Sequence, residues 1–488
     1  MQELALAGYQ LDRSAFDFLK TMDDSEASSI AKNVLMRISE KRDVAAILTK
    51  KELLEMSPYG SSQVSAPVAT RIPSKKIGSR VEVIRDPSKE IGTGGSIEDF
   101  SHYFRDRFQK IASVFRLRQD TRDATGISAV LKAPQNGKVK FLGMIVEKRE
   151  RQRRIFLQMD DLEDNVTVLA SPEDRSAFEV AQRVPLDQVV CVEGVRARGD
   201  LVIAKQILLP DIPDHKHPIV REEVWAVLLS DLHVGSNKFL SSALDRVFDW
   251  LNLRIGTPNQ RSIAERTKYV TICGDIVDGI GVYPRQENEL AITDLYDQYK
   301  EAAKYIGKIP DYIETIVIPG NHDPVRQALP QPAIPRDFAE PIYEVRDLIS
   351  LGNPAEISLH GVRFLLHHGR SLLDIMTRAP NVTFTEPEKA MKLQLQCRHL
   401  APEYGAKTSI APEKTDHLVI ESVPDVFQSG DIHVVKYENY RGTQIINSGA
   451  WQNQTDYQRR AGIVPTPGIV TAVNLQTLEV RLIDFLKV

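Results

Sequence analysis

Residues of metal-binding type follow five apolar runs in the C-terminal half of the chain. They are Asp231 and His233 after VWAVLLS, Asp275 and Asp278 after YVTICG, Asn321, His322 and Asp323 after TIVIPG, His367 and His368 after FLL, and Asp431 and His433 after DVFQSG. Ligands of α/β sheets gather at the carboxyl ends of the strands, so side chains from five strands can meet in one crevice. A Gly-Asp pair alone is an ordinary turn, but five such fragments in this order predict one metal site.

The elements that must position these residues change in type along the chain. From about Ile219 onward, apolar strands alternate with helical segments, which is typical of an α/β domain. Residues 121–211 instead predict five short strands and one helix, in an order typical of an OB-type barrel. A short amphipathic helix from Ile97 to Leu117 precedes the barrel.

The N-terminal region differs again. Residues 57–96 are rich in Ser, Pro and Gly, which predicts a flexible linker. Residues 1–56 show apolar residues at helical spacing and predict a helical interaction module. We therefore predict a multidomain α/β chain with four parts: a helical module over 1–56, a linker over 57–96, an OB-type domain with its preceding helix over 97–218, and a metal-binding α/β domain over 219–488.

A run of basic residues lies at the turn between the first two strands of the predicted barrel. It comprises Lys148, Arg149, Arg151, Arg153 and Arg154. Such a run can contact the phosphates of single-stranded nucleic acid. It can equally be the solvated tip of a hairpin on a domain that packs against protein.

Composition limits the remaining function classes. The 488 residues are too many for one hydrophobic core of ordinary size. Lys and Arg number 62 against 66 Asp and Glu, a net charge of -4, so there is no global basic signal for nucleic acid. The scattered cysteines Cys191, Cys273 and Cys397 argue against a disulfide framework. With no signal-peptide pattern and no apolar run long enough for a membrane, we expect a cytoplasmic, nucleoid-associated protein.

The order of the five fragments resembles that of the calcineurin-like metallophosphoesterases, over about residues 222–455. Their fold is a β-sandwich flanked by helices, which the resemblance implies for residues 219–488. In that family the last motif is Gly-His-x-His, whereas this chain has Gly-Asp-Ile-His, so Asp431 stands where the family has a histidine. The wider chain is similar to the small subunits of archaeal family D DNA polymerases, in its order of domains and in GNHDPVRQALPQP, LLHHGRS and NSGAWQNQT.

The resemblance implies a role for each residue of the constellation. Two divalent metal ions would be held by seven residues, while a histidine would face the substrate phosphate and an aspartate would orient it. The first ion would be bound by Asp231, His233 and His433, the second by Asn321, His368 and Asp431, and Asp275 would bridge the two; His322 would be the catalytic histidine and Asp323 its partner. His368 is preferred to His367 because it precedes Gly-Arg-Ser, as the family's histidine does.

Two metal ions suit phosphodiester hydrolysis because they acidify a water molecule and bind the non-bridging phosphate oxygens. Mixed oxygen and imidazole ligands suit Mn²⁺, Fe²⁺ or Zn²⁺; the resemblance favours Mn²⁺, and Mg²⁺ is an alternative. Asp431 would ligate through a carboxylate oxygen, reach the metal through a water molecule, or leave the second metal weakly bound. Arg326, Arg370 and Gln286 are candidate contacts to DNA. For Arg326 a structural ion pair is an equal alternative, and for Arg370 and Gln286 a structural role is likewise an alternative.

Two main functions are compatible with the sequence. The resemblance implies a 3′→5′ exonuclease that proofreads for a large catalytic polymerase subunit and acts on DNA with a single-stranded 3′ end. The alternative is a structural scaffold with a weak or vestigial site, since the related B-subunits of eukaryotic polymerases have lost most of their metal ligands. In either case the N-terminal region could tether a sliding clamp or primase. A phosphomonoesterase or cyclic-nucleotide esterase would leave the barrel unexplained.

Overall fold

The computed structural model describes residues 72–487 and, nearer the N-terminus, only residues 10–12, 15–16 and 47–48. The chain divides into two compact units, Met1–Arg71 and Ile72–Val488. In the first unit, β1 (Gln10–Leu11) pairs in parallel with β2 (Ile47–Leu48). The helical module predicted over 1–56 otherwise lies outside the described residues, as does the predicted linker over 57–71.

Two six-stranded sheets form the centre of the second unit. In spatial order, the first sheet contains β12 (Ile349–Ser350), β11 (Glu314–Ile318), β10 (Thr267–Cys273), β9 (Trp225–Leu229), β18 (Ile469–Asn474) and β19 (Val480–Asp484). The second contains β16 (Lys436–Tyr440), β17 (Thr443–Asn447), β15 (Val426–Ser429), β14 (Val362–Leu366), β13 (Ala355–Leu359) and β3 (Val81–Arg85). Every residue of β9 and β10 is buried, as expected for parallel strands covered on both faces.

The strands that precede the predicted ligands are parallel neighbours. β9, β10 and β11 lie side by side in the first sheet, and β14 and β15 do so in the second. The two sheets share a core between them that includes Leu228, Phe364 and Ile446. Parallel neighbours end at the same edge of a sheet, and the amide of Asp431 lies 3.1 Å from the Asp231 carboxylate. The five loops after these strands therefore meet at one edge of the sandwich.

Helices cover the outer faces of both sheets. The first sheet is covered by α5 (Ser241–Leu251), α6 (Pro258–Arg266), α7 (Leu295–Ile306) and α8 (Arg336–Val345), and the second by α9 (Leu372–Arg378) and α10 (Pro387–Cys397). A short helix, α11 (Asp456–Arg460), lies between β17 and β18. The predicted mixed α/β fold is confirmed. Within the part of the chain that the structure describes, no helix is both long enough and apolar enough to span a membrane.

A closed five-stranded barrel precedes the sandwich in the chain. It is built from β4 (Lys138–Arg151), β5 (Arg154–Asp160), β6 (Asn165–Ala170), β8 (Leu201–Leu208) and β7 (Val189–Arg196), in that spatial order. Helix α4 (Arg175–Arg183) connects β6 to β7, so the five strands and the helix between the third and fourth of them are as predicted, while a second helix that precedes β4 was not predicted. Helix α2 spans Ile97–Leu117, as predicted, and α3 (Ile127–Lys132) follows it.

The barrel and the second sheet share one continuous core. Barrel residues such as Phe141 belong to the same buried cluster as Phe427 of the second sheet. Arg107 of α2 is fully buried; its Nε lies 2.8 Å from Asp416 Oδ2 and its Nη1 donates to the carbonyl of Asp187 at 3.3 Å. A fully buried ion pair is costly to break, so these contacts hold the barrel against the sandwich.

Residues 72–96 differ from the predicted flexible linker. They contain α1 (Pro73–Lys76), the edge strand β3, and a 3₁₀ turn at Pro87–Lys89. β3 pairs antiparallel with β13. Val83 and Ile84 of β3 remain 44% and 39% exposed, so the strand is held mainly by its hydrogen-bonded pairing with β13, far along the chain. The other predicted domain boundaries stay predictions.

Candidate metal centre

The loops that follow the five strands bring the predicted ligands into one buried cluster. Three overlapping groups have donor atoms that all lie within 4.8 Å of one another. They are Asp231, His233 and His433; Asp231, Asp275 and His368; and His233, Asp278 and His322.

One carboxylate oxygen of Asp275 occupies the centre of this arrangement. Asp275 Oδ2 lies 3.7 Å from His233 Nε2, 3.3 Å from His368 Nε2 and 3.9 Å from His322 Nε2. These imidazoles come from three different loops, and the other oxygen of Asp275 accepts the amide of His322 at 2.9 Å. A single carboxylate thus lies between the two groups of ligands, which is the position required of a bridge between two cations.

The first group of ligands converges on one side of Asp275. His233 Nε2 and His433 Nε2 lie 3.1 Å apart. Asp231 Oδ1 lies 3.5 Å from His433 Nε2 and 3.9 Å from His233 Nε2. Two imidazole nitrogens that face the same point beside a carboxylate form a donor set suited to a divalent cation.

On the other side of Asp275, three buried polar atoms have no hydrogen-bond partner among the described residues. They are Asn321 Oδ1, His368 Nε2 and Asp431 Oδ2. Asp431 Oδ1 lies 3.7 Å from His368 Nε2. An unpaired buried polar atom costs about 1–3 kcal/mol, so three of them at the predicted ligand positions fit a bound cation as their partner.

Contacts behind the ligands fix the orientation of the imidazole rings. His233 Nδ1 lies 2.9 Å from Asp278 Oδ1, and His433 Nδ1 lies 2.9 Å from Gln458 Nε2. His368 Nδ1 lies 2.9 Å from a backbone carbonyl at the end of β10. Each contact directs Nε2 of the ring towards the centre. Asp278 had a visible signal as the last residue of Gly-Asp-x-x-Asp, but Gln458 has none in the spacing of the sequence.

His322 is oriented by a contact other than the predicted one. Its Nδ1 lies 2.7 Å from the backbone carbonyl of Asp278. Asp323 accepts the hydroxyl of Tyr299 at 3.0 Å and backbone amides of the turns after β10 and β11. Burial and the nearby charge of Asp275 raise the pKa of Asp323 to about 6. Asp323 therefore stabilises the turns after β10 and β11. The described contacts include no hydrogen bond between the side chains of Asp323 and His322.

Charge balance couples the carboxylates to the imidazoles. Burial favours the neutral form of Asp275, but His368, His322 and His233 outweigh it and hold the pKa of Asp275 well below its usual range. Burial likewise favours neutral His368, yet Asp275 and other carboxylates hold the pKa of that imidazole well above its usual range. A proton on His368 thus offsets part of the carboxylate charge, and a metal bound at this nitrogen would displace it, since imidazole ligates in its neutral form.

The backbone of the cluster is in the left-handed region at five of the predicted ligand positions. Among non-glycine residues this region is used mainly by Asn, Asp and His. The φ angles are +52° at Asp231, +50° at His233, +52° at Asp275, +63° at Asp431 and +63° at His433.

The three predicted DNA contacts lie in different environments. Arg370 is 46% exposed and its Nη1 lies 3.7 Å from Asp431 Oδ1, at the rim of the cluster. Arg326 Nη1 lies 2.7 Å from Glu413 Oε1, so the structural ion pair is what the structure shows. Gln286 does not fit a contact with DNA, because it is fully buried and donates to the carbonyl of Asp278 at 2.7 Å.

The chain is similar to one known protein family and to several named proteins. A family described as the B-subunit of DNA polymerases alpha and epsilon matches residues 226–437. The DNA polymerase II small subunit of Methanothermobacter thermautotrophicus is 34% identical over 486 residues, which are 99% of this chain and 98% of that protein. That of Archaeoglobus fulgidus is 38% identical over 80% of this chain and 78% of that protein, and that of Pyrococcus furiosus 37% identical over 82% and 67%.

A solved archaeal phosphodiesterase aligns with 53% of this chain and 99% of its own, at 13% identity and a TM-score of 0.26.

Proposed function

The chain belongs to the family of archaeal DNA polymerase II small subunits, and from this premise we propose that it is the 3′→5′ exonuclease of a two-subunit DNA polymerase. Its partner would be the large catalytic subunit, and its substrate DNA with a single-stranded 3′ end. The observation that carries the proposal is the position of Asp275 Oδ2, within 3.9 Å of three imidazoles from three loops. Imidazole nitrogens and a carboxylate oxygen that converge in this way form a donor set suited to divalent cations.

The residues fit two divalent ions, which we propose to be Mn²⁺. One would be held by the first group, Asp231, His233 and His433, the other by Asn321, His368 and Asp431, with Asp275 shared between them. When bound, the ions would supply a nucleophile at neutral pH and neutralise charge on the phosphate.

His322 is the residue best placed to act on the leaving oxygen. Its side chain is 16% exposed, whereas those of His233, His368 and His433 are 3%, 1% and 6% exposed. The Asp278 carbonyl holds Nδ1, and Nε2 lies 3.9 Å from Asp275 Oδ2, beside the proposed metal ions. A proton held at Nε2 can pass to the leaving oxygen, and a general acid typically contributes about 10²–10⁴-fold to the rate.

Arg370 would bind the phosphate from the rim, because its guanidinium is half exposed and lies beside Asp431. The barrel is interpreted as an OB type, since β6 pairs in parallel with β8 and α4 follows β6. Its basic hairpin is only partly free for DNA. Lys148 donates to the carbonyl of Gln182 at the end of α4, at 2.7 Å, and Arg149 pairs with Glu147.

The test uses the complex with the large subunit and a 5′-labelled primer with a mismatched 3′ end, in Mn²⁺ and in Mg²⁺. Asp275→Ala and His322→Ala should each abolish most nucleotide release while DNA synthesis by the large subunit continues. Asp297→Ala is the matched control, since Asp297 is an exposed carboxylate on α7. Digestion by Asp275→Ala at the wild-type rate would overturn the proposal.

A scaffold with a weak site is the second candidate, favoured by the presence of Asp431 at a position where the phosphoesterase motif has histidine. It predicts tight binding to the large subunit with no bound metal. Metal analysis of the purified complex separates the two functions.

Asp431 itself can be tested with two substitutions. If position 431 ligates the second ion, Asp431→His should keep or raise nuclease activity, and Asp431→Ala should weaken the second metal. Equal metal content and equal rates in all three proteins would show that Asp431 is not a ligand.

A further inference from the structure

A cavity of about 800 Å³ lies where the barrel meets the second sheet. Its wall is formed by the end of α2, one face of α4, the chain from Gln206 to Asp214 and the end of α10, and is completed by Glu421, Val423 and Arg441. We call it the junction cavity. Small-molecule sites typically have volumes of about 300–1,000 Å³, and none of the residues that line this one is a predicted ligand of the metal centre.

Arg398 is a buried cation in the wall of the junction cavity. It is 3% exposed and follows α10, with φ at +53°. Among the described residues, Nη2 has an acceptor in the carbonyl of Glu421, whereas buried Nε has none. Burial lowers the pKa of the guanidinium to about 10; Glu356, Asp211 and Glu421 oppose this shift, yet none of them forms an ion pair with it. Burying a charge without a paired partner is costly, so Arg398 fits an anionic ligand.

The acidic groups of the junction cavity do not supply that anion. Asp211 Oδ2 lies 3.4 Å from Arg441 Nη2. Glu421 Oε1 lies 3.3 Å from Lys110 Nζ. Asp214 is exposed, so water screens its charge. The buried charge that lacks compensation in this cavity is therefore that of Arg398.

A second available cation of the junction cavity is at the C-terminal end of α4. Arg183 is exposed, and its side chain has no ion pair or hydrogen bond within the part of the chain that the structure describes. Arg118 also lines the cavity, but its guanidinium lies 2.6 Å from Asp120 and donates to the carbonyl of Leu209 at 2.6 Å. Arg183 is thus available to an anion in the cavity, whereas Arg118 is not.

Apolar side chains make up much of the remaining wall. They include Val180 of α4, Ile207 of β8, Leu209 and Val423. Apolar walls with a few polar groups are typical of sites for small organic molecules. Guanidinium groups bind phosphate through paired hydrogen bonds. A phosphate on an organic molecule carries up to about two negative charges and three acceptor oxygens, so it suits two available arginines better than a carboxylate does.

We propose that the junction cavity binds a small organic phosphate, with the phosphate group on Arg398 and the organic part against the apolar wall. The site is separate from the metal centre, and the inference does not depend on the proposed nuclease activity. Because the wall is built from both the barrel and the sandwich, a bound ligand would contact both. A ligand that binds only the folded chain stabilises it, so the melting temperature should rise with ligand concentration.

The first experiment is calorimetric titration of the full chain in EDTA, which removes metal ions that would also bind phosphate. The probes are deoxyadenosine 5′-monophosphate, inorganic phosphate and deoxyadenosine, and we expect the monophosphate to bind most tightly. Arg398→Met should weaken its binding about 10- to 150-fold, because hydrogen bonds to a charged group are lost. Arg183→Ala should weaken it about 2- to 5-fold, because that cation is exposed.

The second experiment leaves the buried residues unchanged. Ser176 is an exposed residue of α4 that lines the cavity. Ser176→Glu should repel the phosphate and abolish the rise in melting temperature with the monophosphate, whereas Ser176→Gln should keep both binding and stabilisation. Arg175→Ala is the control for loss of a positive charge from α4, because Arg175 pairs with Glu179 at 2.6 Å and does not line the cavity.

Three results would overturn the inference. The first is equal affinity for the monophosphate in the wild type, Arg398→Met and Ser176→Glu. The second is affinity for deoxyadenosine or inorganic phosphate equal to that for the monophosphate, or no binding of any probe. The third is binding of a single-stranded oligonucleotide without binding of the monophosphate, which would assign the cavity to nucleic acid. If Arg398→Met fails to fold, the comparison of Ser176→Glu with Ser176→Gln decides.

Discussion

Removal of the Asp278 carboxylate should weaken metal binding without removing a ligand. Asp278 is 1% exposed. Its Oδ1 lies 2.9 Å from His233 Nδ1 and 3.0 Å from Gln452 Nε2, and its Oδ2 lies 3.3 Å from Gln286 Nε2. Asp278→Ala leaves all three nitrogens without this partner in a buried site and frees the His233 ring to rotate.

The size of the effect follows from those contacts. Loss of a group that orients a metal-ligating histidine typically lowers metal affinity about 10- to 100-fold, which is about 1.4–2.7 kcal/mol. Asp278→Asn should lose less metal affinity than Asp278→Ala, because the asparagine amide oxygen can still accept a hydrogen bond from His233 Nδ1. The pKa of Asp278 is lowered because, although burial opposes it, contact with His233 outweighs burial. The wild-type residue is thus an ionised acceptor, and the asparagine is a weaker neutral one.

The assay is calorimetric titration of Mn²⁺ into the metal-free complex, with nuclease rates measured over the same concentrations. In Asp278→Ala we expect a higher Mn²⁺ concentration at half-saturation, and we expect the maximal nuclease rate to recover at saturating Mn²⁺. Asp297→Ala should bind Mn²⁺ as the wild type does. If Asp278→Ala binds Mn²⁺ with unchanged affinity, the reasoning that Asp278 orients His233 for metal binding is refuted.

Three further predictions concern stability and backbone geometry. Arg107→Met should lower the free energy of unfolding in urea by about 3–5 kcal/mol, because it leaves the buried carboxylate of Asp416 without its cation; a loss below about 1 kcal/mol would contradict this. Burial lowers the pKa of His399 to about 4, so below about pH 6.5 the imidazole is protonated in the unfolded chain but stays neutral in the folded one. The free energy of unfolding should therefore fall between about pH 6.5 and 4, by up to about 1.4 kcal/mol per pH unit. His399→Gln should flatten that slope. Gly274→Ala and Gly361→Ala impose similar backbone strain, at φ +90° and +91°, but only at Gly274 would Cβ meet an imidazole, at 2.3 Å; Mn²⁺ affinity should fall in the first variant alone.

The sequence predicted what depends on local pattern. The clustering of the candidate ligands was predictable because each follows an apolar strand, and parallel neighbours end at one edge whatever the connections between them. Helix α2 was predicted from Ile97 to Leu117 because its apolar stripe is regular, and a capping box formed by Ser96 and Asp99 fixes its start. Both features are determined within a few residues.

What the sequence left hidden depends on contacts between distant residues. β3 exists through its pairing with β13, more than 250 positions away in the chain. Gln286 looked like a polar loop residue, yet it is buried because it supplies hydrogen bonds to the backbone of the loop that carries Asp278. Gln458 reaches His433 only because α11 folds back over the edge of the sandwich. Spacing along the chain contains no signal for these arrangements.

The left-handed backbone at the ligand positions restricts which substitutions the cluster can accept. A β-branched or bulky side chain is disfavoured at φ near +60°, whereas Asn, Asp, His and Gly are tolerated. Of these four residues, Asn, Asp and His can also ligate metals. The backbone conformation and the chemistry of metal binding therefore favour nearly the same residue types. At position 431, where φ is +63°, the backbone conformation accepts either aspartate or histidine. Redesign of the proposed metal site can therefore exchange imidazole for carboxylate at these five positions within the same backbone preference, whereas a cysteine or glutamate there would add backbone strain.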